Sequence, residues 1–225
     1  MQQLDFIILG GGASGLQLAY RLSNHTAFAN ASILILESNN HKGNDRTWCY
    51  WETGDGEWDD LLQNQWNKVQ FKSKNVDKTI DLGSDSYKML RSKPYYERLL
   101  QSLAKNKSIQ IEYARCTGFV DEGLHVIVST DKQTYRCSTL FNSIFDWSVL
   151  SEQNRYPVLQ QHFLGWYIKT PRPLFDTETA VFMDFTVPQL QETRFMYVLP
   201  YTQTEALIEY TLFSKELLDK SEYED

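Results

Sequence analysis

A glycine pattern near the start of the chain has the spacing of a dinucleotide-binding loop. Gly10, Gly12 and Gly15 fit G-x-G-x-x-G. Gly10 permits a tight turn and Gly12 lets the backbone approach a pyrophosphate, while Gly15 lets a helix pack closely on a strand. Ala13, in the same loop, is included among the predicted cofactor contacts. Glu37 stands 22 residues after Gly15, close to the spacing of an acid that binds the adenosine ribose hydroxyls.

The elements that must position this loop occur in the required order. Residues 5–9 form an apolar run typical of a buried parallel strand, and residues 16–22 predict a helix. A second apolar run, 33–36, ends at Glu37. Free N–H groups at the helix start, together with the helix dipole, favour anionic phosphates. A plain glycine-rich turn is the alternative, but this order of elements favours an adenine dinucleotide site.

The composition argues against several classes of partner. The chain has 225 residues, with 22 Lys and Arg against 29 Asp and Glu, so its net charge is −7 and no basic patch points to nucleic acid. The spacing of the cysteines and histidines predicts neither a metal site nor a disulfide framework, and it favours a reducing cytoplasmic setting. These residues are Cys49, Cys116, Cys137, His25, His41, His125 and His162. No apolar run approaches the ~20 residues of a membrane-spanning helix, and the N-terminus lacks the basic start of a signal peptide.

The segment after the second strand is rich in Arg and Trp. In a dinucleotide fold this loop, residues 38–56, would lie near the cofactor, where Arg46 could face phosphate or flavin and Trp48 or Trp51 could line a pocket. Simple aromatic packing is the alternative. Arg91, which precedes a helix predicted from Tyr95 to Ala104, is the last of the predicted cofactor contacts.

The fold class predicted from these elements is α/β. We expect a Rossmann-like dinucleotide-binding domain over residues 1–150, with a hairpin-rich insert. Residues 151–225 would begin an antiparallel, β-rich substrate domain, because strands are predicted at 163–169, 180–186, 194–200 and 205–213. Two short helices are also predicted, at 58–66 and from 214 onward.

Motifs in the last hairpin resemble those of the lycopene β-cyclase family. They are Phe182-Met183-Asp184-Phe185, Arg194 to Pro200, and Leu207-Ile208-Glu209-Tyr210-Thr211. Arg46 to Trp51 and Gln161-His162-Phe163-Leu164-Gly165 look like the bacterial members of that family. With the N-terminal motif, the resemblance covers essentially the whole chain.

The resemblance implies a flavoprotein whose residues 1–150 form a Rossmann-like FAD-binding domain of the glutathione-reductase or hydroxylase type. It also implies redox-neutral chemistry on a carotenoid. It implies bound FAD kept reduced by NADPH, and lycopene or another carotenoid with an acyclic end as substrate. An acid would protonate the terminal C1=C2 bond at C2, the C5=C6 bond would attack the cation at C1, and loss of the C6 proton would give the β-ring. An FAD-dependent monooxygenase, a prenyl reductase and a non-catalytic dinucleotide-binding fragment remain the alternatives.

The same resemblance assigns the catalytic acid to Glu209. This residue lies in an apolar strand, and if it points into an apolar pocket, burial would raise its pKa and keep it protonated near neutrality; an outward-facing acid is the alternative. Asp184 is the second candidate, with a role in structure or in proton supply. The family often has another acid directly after the first, where this chain has Tyr210, but neighbouring strand residues point to opposite faces.

Members of the family continue past the position at which this chain ends, so we expect an N-terminal portion. Apolar surface meant for the missing part would then favour self-association. Because carotenoids are held in membranes, we expect a cytoplasmic protein that associates peripherally with the inner face of the cell membrane through an apolar rim.

Overall fold

The chain is described by a computed structural model over residues 2–40, 43–152 and 155–224. His41, one of the histidines considered above, lies outside these ranges. The strands are, in order, β1 Gln2–Leu9, β2 Ile33–Glu37, β3 Thr47–Thr53, β4 Leu62–Trp66, β5 Lys68–Ser73, β6 Val76–Asp81, β7 Asp85–Arg91, β8 Ile109–Tyr113, β9 Cys116–Asp121, β10 Val126–Thr130, β11 Thr134–Asn142, β12 Gln160–Lys169, β13 Thr179–Asp184, β14 Thr193–Pro200 and β15 Glu205–Ser214. The α-helices are α1 Ala13–Asn24, α2 Ser92–Leu103, α3 Ser148–Glu152 and α4 Lys220–Glu224.

The described chain forms two compact units, and both are discontinuous in sequence. The first contains residues 1–46 and 91–147, and the second contains residues 47–90 and 148–225. None of the helices within the described ranges combines the length and the hydropathy needed to span a bilayer.

The first unit is built on a six-stranded sheet in the order β8-β2-β1-β11-β10-β9. Four strands, β8, β2, β1 and β11, are parallel, and an antiparallel meander of β10 and β9 extends one side. The central strand β2 is apolar and buried over residues 33–36 because both faces of the sheet are covered there. Helix α1 packs on β1 and β2 and against α2. This arrangement confirms the predicted Rossmann-like fold, with its strand, glycine turn and helix.

The second unit contains two sheets. Six strands follow the order β12-β15-β14-β13-β5-β6, antiparallel except for the pair β13 and β5, and three more follow the order β3-β7-β4. Buried side chains from both sheets form one core: Trp66, Val69, Tyr87, Met89, Ala180, Leu199 and Leu207. The predicted β-rich layer is therefore present, and β3 and β7 supply its second wall.

Three features differ from the sequence-based expectation. Residues 47–90, which the sequence places within a continuous domain 1–150, group with the second unit, because β5 pairs in parallel with β13 at Lys68 and Thr179. The helix predicted at 58–66 is wrong: a single 3-10 turn, Asp59–Leu61, leads into strand β4, whose pairing with β7 overrides the helical spacing of the apolar residues. The last helix is short and begins only at Lys220, because β15 continues to Ser214.

Candidate functional site

The glycine loop of the first unit has little room for side chains. A Cβ atom at Gly15 would overlap the carbonyl oxygen of Gly10, so helix α1 can approach β1 this closely only with glycine at position 15. Gly10 has φ +93°, which favours glycine, and a Cβ there would overlap the hydroxyl of Ser143. That hydroxyl donates a hydrogen bond of 2.7 Å to the carbonyl of Leu9.

The start of α1 is open to an anionic ligand. Gly12 is the N-cap residue, and no side chain caps the helix. No acidic residue lies in the first turn, and a Cβ atom at Gly12 would meet nothing within 4 Å. Backbone N–H groups at such a helix start, including that of Ala13, are suited to a phosphate.

Glu37 ends β2 beside this loop. One carboxylate oxygen accepts a hydrogen bond of 2.9 Å from the backbone N–H of Gly11, and the other accepts one of 2.9 Å from that of Asn39. The acid is thereby fixed next to the glycine loop, in the position that the motif predicts. The loop and Glu37 together fit a group that carries both a phosphate and ribose hydroxyls.

The two predicted arginine contacts lie in the same unit. The Arg46 side chain is exposed and forms an ion pair of 3.6 Å with Asp45. The Arg91 guanidinium donates hydrogen bonds to the side chain and the carbonyl of Asn44. Arg91 thus fixes the segment that carries Arg46, and the Arg46 guanidinium is the one presented to solvent.

Tyr96 links this segment to Glu37. Burial raises the pKa of its hydroxyl, and the charges of Asp45, Arg46 and Glu37 act on it as well. Arg46 and Glu37 therefore both lie close to Tyr96. Ser92 adds a second anchor, because its hydroxyl accepts from the backbone N–H of Arg46 and donates to the carbonyl of Gly43.

The second unit contains a cavity of about 180 Å³ with Glu209 in its wall. Strands β12, β14 and β15 form one side of it, and β3 and β7 form the other. The lining residues are Thr47, Cys49, Tyr87, Phe163, Tyr197, Leu199 and Glu209. Glu209 therefore borders a cavity of mixed polar and aromatic lining rather than pointing outward.

The Glu209 carboxyl is the one acid of this lining. Burial raises its pKa, because removal from water disfavours the charged form. Of the residues that the structure describes, none donates a hydrogen bond to this carboxyl or pairs with it as a cation. Nothing on the described walls of the cavity therefore opposes the effect of burial, and the protonated form is favoured.

The neighbours of Glu209 are also held in their neutral forms. Burial raises the pKa of the Cys49 thiol to about 12, and it raises the pKa of the Tyr87 and Tyr197 hydroxyls, with Glu209 contributing in each case. Any charge in this cavity is costly, which suits an acid that must deliver a proton to an apolar molecule.

The other predicted acid lies elsewhere. Asp184 ends β13, where its carboxylate accepts hydrogen bonds of 2.9 Å and 2.6 Å from the backbone N–H and the hydroxyl of Thr186. It is not among the described residues that line the Glu209 cavity. The observed contacts of Asp184 are those of a residue that closes a turn.

Tyr210 lies on the opposite face of β15 from Glu209. Its hydroxyl accepts a hydrogen bond of 3.1 Å from the guanidinium of Arg194, which also pairs with Glu192 at 2.6 Å. An acid at position 210 would therefore face Arg194, as the alternation of side chains along a strand requires.

A second buried charge of this unit is fully paired. Lys88, on β7, has no exposed side-chain surface, and its ammonium donates to Asp59 at 2.7 Å, to Glu52 at 3.0 Å and to the carbonyl of Gly54 at 3.0 Å. Burial alone would lower the pKa of Lys88, but the bonds to Asp59 and Glu52 outweigh it and raise the pKa.

Sequence reasoning missed most of the cavity wall. Trp48 and Trp51 were predicted as residues that could line a pocket, yet neither belongs to the described lining. Trp51 packs against Tyr87 with the ring centroids 4.6 Å apart and the planes tilted by 36°. Cys49, between them on β3, does face the cavity. Alternation along β3 places Cys49 and Trp51 on one face and Trp48 on the other, but only the pairing of the sheets shows which face borders the cavity.

Comparisons with known proteins agree with this architecture. A family profile described as "Lycopene cyclase protein" matches residues 5–225. A lycopene beta-cyclase from Pseudescherichia vulneris is 25% identical over 217 residues, which are 93% of this chain and 52% of that protein. The chain thus spans about half the length of this curated relative.

Two solved structures share the fold at low sequence identity. A geranylgeranyl bacteriochlorophyll reductase-like protein from Thermoplasma acidophilum has a TM-score of 0.66 at 11% identity, over 96% of this chain and 57% of its own. The p-nitrophenol 4-monooxygenase of Pseudomonas putida has a TM-score of 0.62 at 14% identity, over 100% of this chain and 61% of its own. The fold agrees with the sequence prediction, and the match over residues 5–225 shows that the chain belongs to the lycopene cyclase family.

Proposed function

We propose that the protein is a lycopene β-cyclase, an isomerase that closes acyclic carotenoid ends to β-rings, with Glu209 as the acid. One observation carries this proposal. The Glu209 carboxyl lies in an aromatic cavity, with its pKa raised by burial and without a hydrogen-bond or cationic partner in the described part of the chain. Burial thus favours the protonated form of this carboxyl, and the protonated form can transfer its proton to an alkene.

The proposed reaction conserves atoms and electrons. The Glu209 O–H proton is added to C2 of the terminal C1=C2 bond, which leaves a cation at C1. The electron pair of C5=C6 forms the C1–C6 bond and moves the cation to C5. Loss of the C6 proton then forms the new C5=C6 bond, and the Glu209 carboxylate is the base left to receive it.

The aromatic walls have a second task in this proposal. The faces of Tyr87, Tyr197 and Phe163 can stabilise the intermediate cations, since an aromatic ring attracts a cation to its face. Their neutral hydroxyls, like the Cys49 thiol, do not compete with the alkene as bases.

FAD is the proposed cofactor, with NADPH as the reductant that keeps it reduced. When bound in its reduced anionic form, the flavin supplies negative charge that stabilises the cations. Gly10, Gly12, Ala13, Gly15 and Glu37 would hold its pyrophosphate and ribose, and Arg46 would approach the phosphate or the ring. The open start of α1 and the position of Glu37 support this assignment.

The decisive experiment uses the complete protein in a host that makes lycopene. We expect Glu209→Gln to abolish ring formation while FAD stays bound, because the amide cannot supply the proton. Glu205→Gln, on the same strand but in a surface ion pair with Lys169, is the matched control and should keep activity. Undiminished cyclisation by Glu209→Gln would remove Glu209 as the acid.

The shared fold with a reductase and a monooxygenase supports a second candidate, a flavoenzyme that reduces or hydroxylates a prenyl chain. The mass of the product separates the two functions. A β-ring product has the mass of lycopene, whereas reduction adds hydrogen and hydroxylation adds oxygen. A product of altered mass would replace the cyclase proposal.

Peripheral membrane association is also proposed, because the substrate is a lipid. Exposed aromatic side chains on β12, namely Phe163, Trp166 and Tyr167, are of the kind that enters the interface of a bilayer. The test is flotation of the complete protein with lycopene-loaded vesicles of anionic lipid. Recovery of all protein at the bottom of the gradient would contradict this proposal.

A further inference from the structure

The residue paired with Glu209 on the outer side of its strand is a glycine. In the pairing of β12 and β15, Gly165 stands directly opposite Glu209, and Tyr197 stands opposite it on the other side, in β14. Strand β12 is at the edge of its sheet. The acid is therefore flanked by a large ring on one side and by no side chain on the other.

Glu209 occupies the space that a side chain at position 165 would take. A Cβ atom built on Gly165 would lie 3.1 Å from Cγ of Glu209 and 3.5 Å from its Oε1, with Cδ1 of Leu207 at 3.4 Å. The first of these distances is tighter than an ordinary contact. The acid thus lies over the backbone of β12.

The backbone itself does not require glycine at this position. Among the glycines that the structure describes, positive φ occurs at Gly10, Gly54, Gly83 and Gly123, but not at Gly165. Glycine inside a strand weakens it and often marks the close approach of another group. Here that group is the side chain of Glu209.

Building on the proposed function, we propose that Gly165 is a positioning residue for the catalytic acid. Its missing side chain leaves the room in which the Glu209 carboxyl lies, on the face of β12 that also carries Phe163 and Tyr167. A methyl group at position 165 would push the carboxyl towards Tyr197. Proton transfer depends strongly on distance and direction, so the shift changes the rate of the chemical step rather than substrate binding.

The test compares Gly165→Ala with Gly118→Ala in the complete, FAD-loaded protein. Gly118 also lies in a strand, and a Cβ atom there would meet nothing within 4 Å. We expect Gly165→Ala to lower kcat about tenfold with little change in KM, and Gly118→Ala to leave both unchanged. Equal kcat values for Gly165→Ala and the unmodified protein would overturn the proposal, as would a change confined to KM.

A second measurement does not depend on the cyclase reaction. Glu209→Ala removes the one atom that a Cβ at position 165 would crowd, Cγ of Glu209, and leaves Cδ1 of Leu207 at an ordinary contact distance. Gly165→Ala should therefore lower the melting temperature of the unmodified protein but not that of the Glu209→Ala variant. The same fall in melting temperature in both backgrounds would show that the side chain at position 165 does not meet Glu209. If this coupling is found but Glu209→Gln still cyclises lycopene, the proposed function fails while the packing of Gly165 against Glu209 stands.

Discussion

Lys88 and Glu209 are both removed from water within the second unit, but the protein treats their charges in opposite ways. Lys88 is fully buried and meets two carboxylates and a carbonyl, so it keeps its charge. Glu209 is partly buried and has no such partner in the described part of the chain, so its neutral form is favoured. The pKa rises in both cases, yet a raised pKa preserves the charge of a lysine and removes that of a glutamate.

The comparison shows which buried group is available for chemistry. The ammonium group of Lys88 forms hydrogen bonds that join β3, β7 and the 3-10 turn. The role of Lys88 is therefore structural. The proton of Glu209 is held only because the cavity penalises the anion. An acid whose pKa is raised by burial, without a charged partner, is typical of catalytic sites.

The largest effect on stability is expected from removing the buried cation of Lys88. Lys88→Met should lower the free energy of unfolding by about 3 kcal/mol, since it leaves Glu52 and Asp59 crowded together without their partner. Urea unfolding at pH 7 measures the loss. Lys169→Met is the control, because that lysine is mostly exposed in its pair with Glu205, and its change should stay below about 1 kcal/mol. Equal losses would contradict the structural role of Lys88.

A smaller effect on stability is expected from changes at Tyr210, the residue that follows Glu209. Tyr210→Phe removes the hydrogen bond from Arg194 and should cost about 1 kcal/mol of stability. Tyr210→Glu should cost less, because the new carboxylate faces the guanidinium and can pair with it. Both variants should keep their activity in the lycopene-producing host. Loss of ring formation by Tyr210→Glu, with FAD bound, would show that the two faces of β15 are not independent.

The smallest effect concerns the pH dependence of stability. The folded-state pKa of Glu209 lies above its ordinary value of 4.5, so between the two values the folded state binds more protons than the unfolded state. Stability therefore falls as pH rises from about 4.5 through the folded pKa. Glu209→Gln lacks this loss, and its advantage should grow to about 1 kcal/mol or less by pH 8, since water screens part of the effect.

Urea unfolding of both proteins from pH 4.5 to pH 8 tests this expectation. If the difference in unfolding free energy between the two proteins does not change with pH, Glu209 has an ordinary pKa. That result would contradict the contrast drawn between Glu209 and Lys88.

The first unit could be predicted from sequence almost entirely. Its signals are local, since the loop from Gly10 to Gly15 follows its strand directly and the acid Glu37 ends the next strand along the chain. Glycine at position 15 is required by a contact with Gly10, only five residues away. Such constraints remain visible in a single stretch of sequence.

The second unit could be predicted only in part. The individual strands of its last hairpin follow from their alternation and turns, and the resemblance singles out Glu209. The cavity depends on Cys49 and Tyr87, which reach it from strands more than a hundred residues earlier in the chain. The pairing of β5 with β13 leaves no signal within either strand. Likewise, the pairing of β4 with β7 is not visible in residues 58–66, whose apolar residues have helical spacing.

The interleaving of the two units has a consequence for synthesis on the ribosome. Strand β1 needs β11 as its parallel neighbour, with Gln2 opposite Tyr135, and β5 needs β13, with Lys68 opposite Thr179. Pairings so distant along the chain form slowly and late. While the first unit closes, the segment with β3 to β7 has already emerged and must wait, with its apolar side chains uncovered, until β13 to β15 follow. This waiting segment is the part of the nascent chain that most needs the protection of a chaperone.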